Sequence, residues 1–155
     1  MNSLYIWAEE IDLRHQESDQ MALKVEVSVG ELLDKITILE IKSERIDDAA
    51  KVANVRKELE ILRRTWAESE LSATNIDDPM ARLKAVNEEL WEIEDNIRIK
   101  EAAGQFDDKF IALARSVYFR NDVRADVKKQ LNLLLGSNLV EEKFYVDYKG
   151  EKSGD

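Results

Sequence analysis

Three groups of side chains in this 155-residue chain have the types and spacing that chemistry needs. The first is acidic. Glu88, Glu89, Glu92 and Asp95 fall close together, and Glu92 and Asp95 share a helical face at i, i+3. Glu31 and Asp34 repeat that spacing earlier in the chain. Two such helices packed side by side would converge four carboxylates on a hard divalent cation, Mg²⁺ or Mn²⁺, which takes oxygen ligands. A metal so held bridges phosphates and activates water. The competing reading is a solvated helix face. With 33 acidic residues in the chain, acid-x-x-acid pairs arise often by chance, and the solvated face is the more frequent outcome.

The second group is basic. Arg115, Arg120, Arg124, Lys128 and Lys129 lie close together, with Tyr118, Phe119 and Asn121 among them. Asn121–Asp122 reads as a break between two helices, with Asp122 capping the second. A helix N-terminus there offers backbone N–H groups and a favourable dipole to an anion. Arginine matches phosphate or carboxylate in bidentate fashion. A small anionic ligand, a nucleotide or a sugar phosphate, is the expected occupant. The competing reading is that these bases pair with the acidic helices of the same chain.

The third group is a pair of half-polar columns. Asp34, Ile38, Ile41 and Arg45 repeat at 4-3-4, and Asn87, Trp91, Glu94 and Arg98 do the same. Such seams join helices while their polar members fix register. They are expected to meet inside the bundle or across a two-fold homodimer, with Trp91 as filler.

Other chemistry lacks the residues for it. There is no Cys, hence no disulfide, thiolate nucleophile or thiolate metal site. The single histidine, His15, sits in a polar run, where a solvated side chain is the expectation. No G-x-S-x-G, phosphate-binding glycine loop or solenoid-length repeat occurs. Catalysis is therefore not the favoured expectation. The net charge of −10 opposes binding to nucleic acid or an anionic membrane. No apolar run reaches the ~20 residues of a membrane span. The first residues lack the basic and apolar regions of a signal peptide, so a cytoplasmic location is the default.

The elements that must position these groups are helices. The central one is expected over 28–46, where Ser28 and Glu31 form an S-x-x-E capping box. Leu32, Ile36, Leu39, Ser43 and Ile46 make one stripe, and the second column makes another, so this helix must be covered on two sides. Val52, Val55, Leu59, Leu62 and Trp66 predict a helix over 49–70. Asp78–Pro79 predicts a start, with Asp78 as cap, for a helix over 79–103 ended by Gly104. Two more are expected over 107–120 and 122–135, the last closed by Gly136. Residues 24–27 and 144–149 alternate polar and apolar, which suits short extended segments. Leu4, Ile6, Trp7, Ile11 and Leu13 suit a short amphipathic helix in an N-terminal extension, 1–23, and Met21 is an alternative start. A single helical domain is expected over 24–148, with a frayed tail, 149–155.

Several blocks, V-S-V-G-E-L-L-D-K-I-T-I-L-E-I-K (27–42), V-N-E-E-L-W-E-I-E-D-N-I-R (86–98), F-I-A-L-A-R-S-V-Y (110–118), N-D-V-R-A (121–125) and G-S-N-L-V-E-E-K (136–143), occur in the order seen in a bacterial family. The chain resembles that family, a domain of unknown function, over residues 24–145. The resemblance implies a stand-alone helical domain and brings no activity or catalytic residues. E-E-L-W-E and E-I-E-D are also similar to the E-E-x-x-E and E-x-x-D pair of all-α nucleoside triphosphate pyrophosphohydrolases, although here both lie on one helix instead of two. The fold expected is thus all-α, an antiparallel hairpin or bundle of about five helices, homodimeric. The function expected is an interaction module or a binder of a small phosphorylated ligand. The alternative is a Mg²⁺- or Mn²⁺-dependent nucleotide hydrolase.

Overall fold

The computed structural model describes residues 23–144 and 146. The expectations for the N-terminal extension, His15 and the final residues lie outside them. Four α-helices make the fold: α1 (Val29–Arg45), α2 (Ala49–Ala67), α3 (Asp77–Ala102) and α4 (Asp108–Leu134). A single 3₁₀ turn (Glu70–Ala73) joins α2 to α3. No strand occurs among the described residues, and residues 23–27 and 139–144 carry no regular structure.

Local chemistry sets the helix ends. The Ser28 hydroxyl accepts from the Glu31 N–H at 3.2 Å. The reciprocal half of the expected capping box is not made, because the Glu31 carboxylate turns to Lys128. Asp48 caps α2, accepting from the Ala50 and Lys51 N–H groups. α3 starts earlier than Asp78–Pro79 implies. The Asn75 side chain accepts from the Asp77 N–H at 3.0 Å, so Pro79 falls third in the helix, still inside the first turn, where its missing N–H costs nothing. Asp107 caps α4 through the Phe110 N–H. The Lys100 ammonium beside Asp107, and then that N–H, hold its carboxyl below the usual carboxylate range. α3 and α4 both end in Schellman turns with a left-handed glycine, Gly104 (φ 63°) and Gly136 (φ 62°).

The expected break at Asn121–Asp122 does not occur: α4 is one continuous helix. Asn121 is satisfied inside it, its Nδ2 donating to the Val117 carbonyl at 2.9 Å. Neither Gly nor Pro is present there to stop the helix. The helix N-terminus expected to receive an anion at Asp122 is therefore absent.

α3 and α4 form a long antiparallel hairpin. Lys100–Asp107, Arg120–Glu89, Arg124–Asn87 and Arg82–Gln130 link them, partners descending on one helix as they ascend on the other. α1 lies across one end of this hairpin and α2 fastens to α1 through Lys35–Glu58 and Glu40–Arg63. The core sits where all four meet: Leu33, Ile36 and Leu39 of α1, Leu59 of α2, Leu83 and Val86 of α3, Val127 and Leu131 of α4. Burying each such side chain contributes about 1.5–3 kcal/mol. α1 is covered on two faces, with Thr37 and Ile41 as deeply buried as Leu33. Between Trp91 and Asp126 no residue is buried, so the far half of the hairpin projects beyond α1 and α2. No described helix is long and apolar enough to cross a membrane.

Candidate functional site

Tyr118, Asn121, Arg124, Ala125 and Lys128 recur at helical spacing on one face of α4, and with Asp122 and Lys143 they line a cleft of about 440 Å³. That volume lies in the usual range for small-ligand sites, about 300–1,000 Å³. The opposite wall exists because the chain doubles back after Gly136. The Ser137 hydroxyl accepts from the Val29 N–H at 3.2 Å and donates to the Leu139 carbonyl at 2.7 Å. Lys128–Glu141 at 2.9 Å and Lys129–Glu142 at 3.3 Å then tie the returning arm along α4.

Beneath the cleft a buried polar cluster joins α1, α3 and α4. The Lys128 Nζ is 2.5 Å from Glu31 and 3.7 Å from the buried Asp34. The Asn87 Nδ2 donates to Asp34 at 2.8 Å and to the Thr37 hydroxyl at 2.9 Å. The Gly30 N–H donates to the Asn132 Oδ1 at 2.6 Å. Every buried polar side-chain atom of the described residues is satisfied. Burial pulls the Lys128 ammonium down, but hydrogen bonds to Glu31 and Glu141, with the Asp34 charge, outweigh it and raise its pKa. Lys143 and then Lys128 hold the Glu141 carboxyl down at about 2.

This bonding decides which cations remain for a ligand. Lys128 faces three carboxylates, Lys143 pairs with Glu141, and Arg120 pairs with Glu89 at 2.6 Å. Among the described residues Arg115 reaches the Tyr118 hydroxyl, at 3.3 Å. Arg124 is half-buried in the cleft wall, and its one polar contact among the described residues is a long one, 3.4 Å to the Asn87 Oδ1. Of the six expected anion-site residues, the fold gathers Tyr118, Asn121, Arg124 and Lys128, leaves Arg115 beside them and turns Arg120 away.

The expected metal ligands are not brought together. Glu31 and Asp34 serve Lys128 and Asn87, Glu92 pairs with Arg45 at 2.5 Å, and Glu88 lies near Lys84. Asp95 lines a different hollow. No group of three or more acidic or histidine side chains suited to a metal occurs among the described residues.

The two half-polar columns meet within one chain. Asp34 bonds Asn87, and the Arg45 guanidinium lies 6.0 Å from the Trp91 ring centroid. Ile41 is buried, while Ile38, Trp91, Glu94 and Arg98 border a groove of about 300 Å³ between α1 and α3. Glu94 and Arg98 pair at 3.6 Å.

Lys143 lines the cleft, and Asn132 and Ser137 tie α1 to the end of α4 and to the returning arm; helical spacing singles out none of the three. A signal for the first was present: the acidic pair Glu141–Glu142 follows a glycine stop and complements the basic pair Lys128–Lys129.

No curated protein and no solved structure matches the chain. Residues 23–149 match the sequence profile of a family of unknown function, DUF6165. That match takes in the four helices, the buried polar cluster and the returning arm, and the chain belongs to this family.

Proposed function

We propose that the cleft between α4 and the returning arm binds a small phosphate-bearing anion, with Arg124 as the principal contact. The observation that carries this reading is Arg124 itself, a half-buried guanidinium in a cleft wall with no carboxylate partner among the described residues. A guanidinium in that setting presents parallel donors to phosphate. Asn121 and Tyr118 add neutral polar groups. The reading is one of binding, and no catalytic step is assigned.

Thermal denaturation with inorganic phosphate, pyrophosphate and sugar phosphates tests it. A ligand at 100 times its Kd adds about 2.7 kcal/mol, or roughly 5–10 °C for a domain of this size. Arg124→Gln should abolish the shift. A flat panel, or equal shifts in wild type and Arg124→Gln, refutes the assignment.

The far half of the α3–α4 hairpin favours a second reading, as a self-association surface. Ile99, Phe106 and Ile111 are exposed there, and two such hairpins packed about a two-fold axis would bury them in a four-helix bundle. Sedimentation analysis of wild type and Ile111→Asp tests this. A dimer that dissociates on substitution supports it, and a monomeric wild type refutes it.

A further inference from the structure

The groove between α1 and α3 is not absorbed by the anion site, yet the two share a wall. Arg124 borders both the cleft on α4 and the groove over Trp91. Its Nη1 lies 3.4 Å from the Asn87 Oδ1, and Asn87 also borders the groove. The groove has an apolar and aromatic lining, Ile38, Leu90 and Trp91, with Glu94 and Asp95 beside it. Trp91 is half-buried and Arg45 lies over its ring, so the indole is held in place.

From this juxtaposition we infer that the site takes a nucleoside monophosphate, its phosphate on Arg124 and its base in the groove against Trp91. This rests on the anion reading of Arg124. The chemistry of the groove selects the class. A flat ring fits an indole with two aliphatic side chains, as bases stack on aromatic side chains in nucleic-acid sites. Carboxylates are acceptors only, so Asp95 suits a ligand rich in donors, while Glu94 is paired with Arg98, which also borders the groove. A base amino group and ribose hydroxyls supply those donors, and a simple aryl phosphate does not. Lys42, which also borders the groove, has no carboxylate within salt-bridge distance among the described residues and adds positive charge to its lining. At about 300 Å³ the groove accommodates one nucleoside-sized group while the phosphate reaches the shared wall.

The test is calorimetric titration of the full chain with inorganic phosphate, ribose 5-phosphate, AMP, CMP and adenosine. AMP or CMP should bind about tenfold or more tighter than ribose 5-phosphate, the scale of one base stacked on an aromatic ring. Trp91→Ala should remove that advantage and leave ribose 5-phosphate binding within about twofold. Arg124→Gln should weaken every phosphate-bearing probe. Should Trp91→Ala fail to fold, the wild-type protein still decides the matter. Its Trp91 indole N–H resonance, assigned with Trp91→Phe, should move with AMP and stay fixed with ribose 5-phosphate. Phosphate and ribose 5-phosphate binding through Arg124 without a gain from the base overturns this inference and spares the anion site. Failure of every phosphate-bearing probe overturns both.

Discussion

Gly30 offers the sharpest test of how α1 meets α4. It is the second residue of α1, and its backbone conformation needs no glycine. Helix propensity alone therefore says that Gly30→Ala should stabilise, by at most about 1 kcal/mol. The packing says the reverse. A Cβ at Gly30 would lie 2.7 Å from the Lys128 carbonyl oxygen and 3.0 Å from the Asn132 Oδ1. The first of these is helix backbone and cannot rotate away. To restore ordinary contact at 3.4 Å from 2.7 Å, the helices must part by about 0.7 Å. That displacement stretches the 2.6 Å Gly30–Asn132 hydrogen bond to about 3.3 Å, past the usual N–H···O range, and weakens it. Overpacking costs about 1–3 kcal/mol, and weakening the hydrogen bond costs up to its full net worth of about 0.5–1.5 kcal/mol. Subtracting the propensity gain leaves a net loss of about 0.5–3.5 kcal/mol, centred near 2. Urea titration followed by circular dichroism should show a lower midpoint at unchanged slope, and Tm should fall by roughly 4–8 °C. A midpoint equal to or above wild type would refute the claim that backbone contact at Gly30 sets the α1–α4 distance.

Three further predictions concern the cluster, the arm and the core. Lys128→Met leaves Asp34 buried without its nearest cation, and should lower stability by about 3 kcal/mol in urea titrations, the scale for removing one member of a buried ion pair. The Glu141 carboxyl is depressed from 4.5 to about 2, so its contribution is present above the unfolded value of 4.5 and is lost as pH falls through 2. Backbone NMR of residues 139–144 should accordingly show the arm held to α4 at pH 5 and released towards pH 2, and release already complete at pH 4 would contradict that order. Leu131, fully buried, should cost about 3 kcal/mol or more on change to Ala. Leu113, in the projecting half of α4, should cost well under half as much, with amide exchange faster around it than around Leu131.

The helices were legible because their stripes are regular, and Ser28, Asp48, Gly104 and Gly136 punctuate them in standard ways. The boundary errors share one cause. Polar residues with strong turn preferences suggest helix boundaries, a break at Asn121–Asp122 and a start at Asp78, whereas the fold satisfies them otherwise. Asn121 bonds its own preceding turn, and Asn75, not Asp78, receives the first N–H of α3. The candidate site was half legible. A basic stripe on α4 is visible as spacing, but its partners are not, since pairing depends on which acids a distant helix or a returning arm brings close. Asp34 illustrates this. At sequence level it is one of many acids, and only the packing of α1 against α3 and α4 makes it the buried carboxylate shared by Asn87 and Lys128.

An acidic chain tends to neutralise its own bases, and Arg124 escapes for a reason found on α3. The acids nearest in sequence to its neighbour Asn87 point elsewhere: Glu89 pairs with Arg120 and Glu88 lies near Lys84. The residue facing Arg124 is Asn87, a neutral amide. Its nitrogen is committed to Asp34 and Thr37, so only its carbonyl oxygen points to Arg124. Asp34 is thereby held one amide away from the guanidinium, and its charge is directed to Lys128 instead. The buried cluster thus does two things with one set of bonds. It fixes α1 against the hairpin, and it keeps the acids of α1 off the one half-buried arginine that borders both hollows. A carboxylate at position 87 would sit against the buried Asp34 carboxylate and take away the Nδ2 donor that satisfies it, so the cluster itself calls for an amide there. That amide offers Arg124 only a neutral oxygen at 3.4 Å and leaves the guanidinium with donor capacity to spare, which is the physical ground for the proposal that the cleft takes an anion.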